Sequence, residues 1–363
     1  MTLTQRYALI VLAVFSLLGS DITVDAQELP TLYRGVRPLG MGGAFTAVSD
    51  DANAFFYNPA GLHGAATLFS MEILNPQVEI SANSTDLYSD LSDLEGDNLS
   101  EVSAFLDERI GELQHVRASL FPNLLIRNFG VGILAQATAD ILVRNPVFPE
   151  VVTDVKIDTG LVGGGAIAVG NGLTVGVDAK FIQRKGISQT FTAVDIAGEN
   201  FDPLDDLESE SGITFDLGGM MKLKEHVPSI GYLDPTVGVV IQNAPKLDFD
   251  TLGELPTQFN AGLAVNPSLG VVSSTFAFDV LDITKRVGED DDYNKRLHLG
   301  AEIRLPAVLS VRLGLNQMKY VSAGATVDIW IMKLDYATYA EEVGVFAGQR
   351  DDRRHVVQLS FGF

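Results

Sequence analysis

No cysteine occurs anywhere in the 363-residue chain. That one absence excludes disulfides, thiolate metal sites, a cysteine nucleophile and an acylated lipoprotein cysteine. Basic residues are scarce: 25 Lys and Arg stand against 47 Asp and Glu, a formal net charge of -22. Phosphate backbones need clustered cations, so nucleic acid is not expected as a partner. The five histidines, at 63, 115, 226, 298 and 355, are too scattered for metal-ligand spacing. No metal and no other cofactor is expected. A Gly-x-Ser-x-Gly elbow is missing too, so no catalytic residue is assigned and the chain is not expected to be an enzyme. Long hydrophobic runs are also lacking. The apolar stretch at residues 8–18 spans about 11 residues, where a membrane helix needs about 20. It follows Arg6 and leads to Val24-Asp25-Ala26, which predicts a secretory signal peptide over residues 1–26.

What the chain does have is alternation. Leu173, Val175, Val177, Ala179 and Phe181 alternate with Thr174, Gly176, Asp178 and Lys180. Leu309, Val311, Leu313 and Leu315 alternate with Ser310, Arg312, Gly314 and Asn316. Successive strand residues face opposite sides, so each such segment builds one apolar and one polar face. The segments run for about 9–14 residues, longer than the usual soluble strand of about 5–6. They match the length that a membrane barrel needs. Full charges in mid-strand (Asp178, Lys180, Glu302, Arg304, Arg312) suit a wet lumen. Tight turns such as Gly170-Asn171-Gly172 alternate with long acidic loops such as residues 198–211. Short turns on one rim and long loops on the other is the outer-membrane layout. The expected fold is therefore all-β: an antiparallel transmembrane β-barrel over residues 65–363, with about 14 strands because bacterial barrels have even numbers. One stretch departs from it. Leu99 to Leu113 has helical spacing behind Asn98 and Glu101, and predicts an amphipathic extramembrane helix over 99–113. The chain closes on "HVVQLSFGF". This alternating strand with Phe361 and Phe363 on its apolar face resembles the signal read by the bacterial barrel-assembly machinery.

The glycine-rich stretch "RPLGMGGAFTAVSDDANAFFYNPAGL" lies ahead of the first strand. A dinucleotide loop would need a buried strand before it, and "LYRGVRPL" is not one. Asp50-Asp51 lacks the alternate oxygens of a calcium loop. The stretch instead resembles the N-terminal signature of the FadL and PorV superfamily of outer-membrane proteins. Gly40, Gly42, Gly43, Asp50, Asp51, Asn58, Pro59 and Ala60 carry the likeness, and the "LDYA" run at residues 334–337 resembles the family's closing hairpin. The resemblance implies that residues 27–64 form a hatch plugging the lumen of a 14-stranded barrel. It implies a place in the outer membrane of a Gram-negative-type bacterium, among outer-membrane lipids. It also implies passive, hatch-controlled passage of hydrophobic, fatty acid-like small molecules. Phe45, Phe55 and Phe56 are then the candidate ligand pocket, or else anchors packed on the wall. Lys180, Arg304 and Arg312 are candidate lumen contacts for a polar head group. The alternative is a PorV-like barrel that binds a partner protein in secretion or surface attachment.

Overall fold

The computed structural model describes residues 28–66, 68–84, 110–144, 150–191, 207–269, 271–285, 292–306, 308–344 and 346–362. The expected signal peptide, residues 99–109 of the expected helix, and Phe363 lie outside the described residues. The helix does not reach its expected end: Leu113 already opens a strand and pairs with Leu142. The alternation of His115, Arg117 and Ser119 with Val116 and Ala118 wins there over the helical spacing of the residues before it.

Fourteen staves close into an antiparallel barrel. β1 is split into Ser70–Leu74 and Gln77–Ser81, and β2 into Leu113–Leu120 and Asn123–Ile126. Then follow β3 (Phe129–Arg144), β4 (Glu150–Gly170), β5 (Leu173–Phe191), β6 (Glu208–Lys222) and β7 (Thr236–Gln242). The circuit continues with β8 (Gln258–Val265), β9 (Val272–Val280), β10 (Leu297–Arg304), β11 (Leu309–Asn316) and β12 (Tyr320–Ile329). β13 (Met332–Glu342) and β14 (Asp351–Gly362) complete it, and β14 pairs with both halves of β1. Every stave thus has two neighbours, which is what backbone in hydrocarbon requires.

The wall is inverted relative to a soluble protein. Phe215 and Leu217 of β6 are exposed while Thr214 and Asp216 between them are fully buried. The same holds for Leu313 against Arg312, and for Phe181 against Lys180. Apolar side chains face outward to lipid, and polar ones face a filled lumen. β3 to β6 are 16, 21, 19 and 15 residues long. At about 3.3 Å per residue they outrun the roughly 25 Å apolar band even when tilted. They therefore project beyond it on the long-loop rim.

The short-turn rim carries the only tryptophan in the sequence, Trp330, 92% exposed in the two-residue turn between β12 and β13. Ile329 and Ile331 beside it are exposed as well. Indole prefers the membrane–water interface. In liposomes, Trp330 emission is expected to be quenched most by lipids brominated near the head group. Quenching that is strongest for deep bromines, or none at all, would contradict this placement of the rim.

Residues 28–66 lie inside the barrel. Residues 28–34 point toward the long-loop rim. The chain then turns and runs around the inner wall from β13 to β3. Helix α1 (Val36–Gly40) packs on β12 and β13, and ends where Gly42 and Gly43 take positive φ. That left-handed exit is a glycine preference. Helix α2 (Ala54–Tyr57), the 3₁₀ turn Pro59–Gly61 and helix α3 (Leu62–Ala65) complete the circuit against β4 to β6.

The wall makes room with glycines that face inward, one on each of seven staves. Gly176 of β5 meets the Pro59 carbonyl, Gly218 of β6 the Asn58 side chain, and Gly238 of β7 and Gly262 of β8 meet Thr46. Gly300 of β10 meets Met41, Gly314 of β11 meets Gly42, and Gly324 of β12 meets Gly40. Pairs of them are exact neighbours across the ladder: Gly176 with Gly218, Gly238 with Gly262, and Gly300 with Gly314. On β9 the register partner of Gly262 is Asp279, which accepts hydrogen bonds from the Phe45 and Thr46 amides at 2.7 and 2.6 Å. The N-terminal segment thus lies in a shallow circumferential track.

Candidate functional site

Three compartments among the described residues of the lumen and wall bear on a site. The upper chamber, toward the long loops, has a volume of about 340 Å³. Its floor is residues 28–31 with Arg34, and its roof is the β7–β8 connection. That connection folds inward as a small hairpin, Leu247–Asp248 with Glu254–Leu255. Leu247, Phe249, Leu252 and Leu255 are buried in one cluster with Tyr33, Phe55, Phe56 and Phe121. Arg184 holds the hairpin, stacking 4.4 Å from the Phe249 ring and donating to the Leu252 carbonyl.

The lower chamber, about 270 Å³, lies toward the short turns between the N-terminal segment and β10 to β14. Its central contact is Arg37. The guanidinium forks onto Glu302 at 2.8 and 3.0 Å, pairs with Asp51 at 2.7 Å and with Asp50, and lies 4.9 Å from the Phe45 ring centre. Arg304 also reaches Asp50, at 3.1 Å. One cation therefore ties the helix α1 end of the segment, its Asp50-Asp51 turn and the wall together. Burial alone would raise the Asp50 carboxyl, but the Arg37 and Arg304 guanidiniums outweigh it and hold it below its ordinary value. The Arg37 guanidinium, flanked by three carboxylates against the cost of its burial, is held charged more firmly than usual.

The third compartment is on the outside. An apolar groove of about 800 Å³ runs over β1 to β6, lined by Ile73, Leu124, Val131, Ile133, Leu161 and Phe181 among others. Its base is where the wall is interrupted. β1 breaks at Asn75-Pro76, and its neighbour β2 breaks at Phe121-Pro122. Proline cannot donate to the ladder, and Asn75 replaces the missing rungs: its side chain exchanges two 2.7 Å bonds with the Phe121 backbone. Glu72 lines both the groove and the lower chamber. Inside the break, Phe121 packs on Tyr33, Phe55 and Phe56 of the N-terminal segment.

The residues singled out in the sequence fall into place as follows. Gly40, Gly42 and Gly43 form the α1 exit against the glycine track, and Asp50 and Asp51 are the partners of Arg37. Asn58 is fully buried. It caps the turn at Ala60 and donates to the carbonyls of Thr46, Gly219 and Val239, tying the segment to β6 and β7. Pro59 and Ala60 sit over Gly176. Of the two readings left open for the aromatics the packing favours anchors, and the candidate head-group contacts prove to be engaged with the protein itself. Phe45, Phe55 and Phe56 line none of the three compartments; 0–8% exposed, they are anchors packed in two clusters. Lys180, Arg304 and Arg312 do face inward, but none is left to hold a head group. Lys180 is paired with Asp216 and Asp178, Arg304 with Asp50 and Glu302, and Arg312 with Glu302 and Asp335. Charges buried in a narrow lumen are expected to be paired. Phe361 lies on β14 opposite Met332 and Leu74. Arg37, Asp279 and the β7–β8 hairpin were not singled out. The signals were an arginine followed by proline ahead of the glycines, an aspartate near the end of a strand in a run of apolar and small residues, and the spaced apolar residues of "LDFDTLGEL".

No protein-family model and no curated protein sequence matches the chain. Solved structures do match in shape. The CymD monoaromatic hydrocarbon channel superposes with a TM-score of 0.55 at 14% identity, over 90% of this chain and 96% of that one. The Ralstonia pickettii toluene transporter TbuX gives 0.52 at 13% identity, over 91% and 97%. A Pseudomonas aeruginosa FadL homologue gives 0.51 at 11% identity, over 93% and 99%. The chain shares the fold of these structures, a closed antiparallel β-barrel of fourteen strands.

Proposed function

We propose that the protein passes hydrophobic small molecules across the outer membrane by passive diffusion, with residues 28–66 acting as a hatch and the break in β1 and β2 as a lateral exit. The observation that carries this reading is the coincidence of that break with the apolar outer groove. A molecule leaving the lumen there enters lipid from the edge of the lower chamber, whose lining includes Glu72, Asn75 and Phe121. Toluene and monoaromatic hydrocarbons are what the structural neighbours are named for, and a fatty acid-like chain has the same need for an apolar exit. A broken wall beside a groove favours passage over the partner-binding alternative, for which a sealed wall would serve.

Gly163 gives a clean test. It lines the groove on β4, and an added Cβ would meet its nearest neighbour, Val131, at an ordinary 3.5 Å. Gly163→Trp should fill the groove without touching the hatch. Toluene uptake into proteoliposomes is expected to fall at least about fivefold, with barrel assembly unchanged. Uptake at the wild-type rate would remove the lateral exit from the reading.

A further inference from the structure

The wall of the upper chamber carries buried polar atoms that make no hydrogen bond. Arg117 and Ser119 of β2 and Gln136 of β3 all face inward. Ser119 and Gln136 are register partners, and Arg117 is one inward position further along β2. Each is more than nine-tenths buried, at 8, 6 and 7% exposure. The Arg117 Nε and one Nη, the Ser119 hydroxyl and the Gln136 Oε1 make no hydrogen bond. Gln136 is not free to turn away, because its amide nitrogen donates to the Leu32 carbonyl of the hatch at 3.1 Å. Arg117 and Gln136 both line the chamber. Buried donors and acceptors are costly when unpaired, so a patch offering both is built for a guest.

The guest's chemistry follows from the patch and the chamber beside it. Arg117 offers donors, and Gln136 Oε1 accepts. A hydroxyl group satisfies both at once, accepting from the guanidinium and donating to the amide oxygen. An anion is disfavoured, because the chamber's cations are already neutralised. Arg117 has Glu79 at 3.5 Å, Arg34 has Glu341 at 3.0 Å, Arg184 has Asp158 at 2.7 Å, and Lys156 is paired with Asp154. Next to the patch the chamber is apolar: Leu113, Leu142 and Val152 lie on β2 to β4 nearer the long-loop rim, and Leu252 and Leu255 come from the β7–β8 hairpin. We infer that the upper chamber selects a small uncharged molecule with an apolar body and one hydroxyl, an alcohol or phenol, in preference to the bare hydrocarbon. The binding claim stands on the chamber alone; its role as a selectivity step rests on the uptake reading above.

The matched pair p-cresol and toluene, which differ by one hydroxyl, tests it. Calorimetric titration of the full-length protein in nanodiscs should show p-cresol binding at least about tenfold tighter, since a site built to bond a hydroxyl rejects the analogue lacking it. Gln136→Leu should bring the two affinities within about threefold of each other, and so should Arg117→Met. The arginine variant leaves Glu79 short of a partner, so its folding is checked by heat-modifiable gel migration; the glutamine variant decides the matter if it misfolds. Equal affinities in the wild type, or a preference that survives Gln136→Leu, would overturn the inference. Tighter binding of p-toluate than of p-cresol would overturn the uncharged guest. The two readings fail separately. Toluene uptake with no hydroxyl preference sinks only this inference, and p-cresol binding without any toluene uptake sinks only the passage reading.

Discussion

Replacing Arg37 with methionine is expected to open the interior to small solutes without preventing the strands from assembling. One guanidinium joins the Asp50-Asp51 turn to Glu302 on the wall. Glu302 is 1% exposed and keeps Arg312 and Arg304 when Arg37 is lost, whereas the aspartate turn keeps only the exposed Arg304 contact. Breaking a buried pair costs about 3–5 kcal/mol. With Asp50 facing the chamber's water, about 2–3 kcal/mol is the appropriate discount. That is enough to shift the turn from fixed to mostly released, so swelling of proteoliposomes in small sugars should rise severalfold. Arg37→Lys keeps the charge but loses the fork onto Glu302, and an intermediate rate is expected. Acid should imitate the variant. Because the Asp50 carboxyl is held below its ordinary value, its contribution is fully present above an ordinary aspartate pKa of about 3.9 and is lost as pH falls through the lower folded value. Wild-type swelling should therefore rise below about pH 4, while Arg37→Met should respond much less. Identical swelling of variant and wild type at neutral pH would show that Arg37 does not latch the segment.

The barrel was legible in the sequence because lipid and lumen impose a period of two on every stave. Runs such as residues 173–181 and 309–315 carry that period over a full strand, and the inverted burial of Phe215 and Asp216 is its direct consequence. Less could be read of how the lumen is filled. The glycines at 176, 218, 300 and 314 stand on the polar faces of their strands, and alternation alone scores them simply as not apolar. Their meaning appears only when the backbone of residues 40–60 is laid against them, a contact between positions more than a hundred residues apart. The aromatics of residues 45–56 were left open between pocket and anchor for a related reason. A phenylalanine in a plug and a phenylalanine in a pocket have the same sequence signature, and only packing tells them apart: Phe55 and Phe56 on Phe121 and the β7–β8 hairpin cluster, Phe45 on Tyr57 and on Ala264 and Ala277 of the wall. Candidate cations fared likewise: inward direction follows from periodicity, but pairing across the ladder, as between Lys180 and Asp216 on β5 and β6, depends on the strand register, which the long connection between them leaves open.

The glycine track makes the second large prediction, and its sign sets the hatch against the barrel. Valine is a better strand residue than glycine, so a Gly→Val change in mid-strand should favour the stave it occupies. At Gly238 the added Cβ would lie 2.5 Å from the Thr46 carbonyl oxygen. Backbone on both sides of that contact cannot escape by changing rotamer, and overpacking against it should cost about 3 kcal/mol or more. The segment is then expected to leave its track while the barrel still forms. Gly163→Val, facing outward with ordinary contact distances, is the matched control on β4. Arg34 reports the outcome: it is 6% exposed and held by Glu341 on the wall, and it precedes a glycine, whereas Arg37 precedes Pro38 and is not a trypsin site. Trypsin should cleave the detergent-purified Gly238→Val protein after Arg34 at least about tenfold faster than wild type. The Gly163→Val protein should resist as wild type does, and all three should keep heat-modifiable gel migration. Protection of the Gly238→Val segment would mean the wall can yield to a side chain there, and the track would be incidental to holding the hatch. Equal cleavage of both variants would trace the change to weakened strands instead.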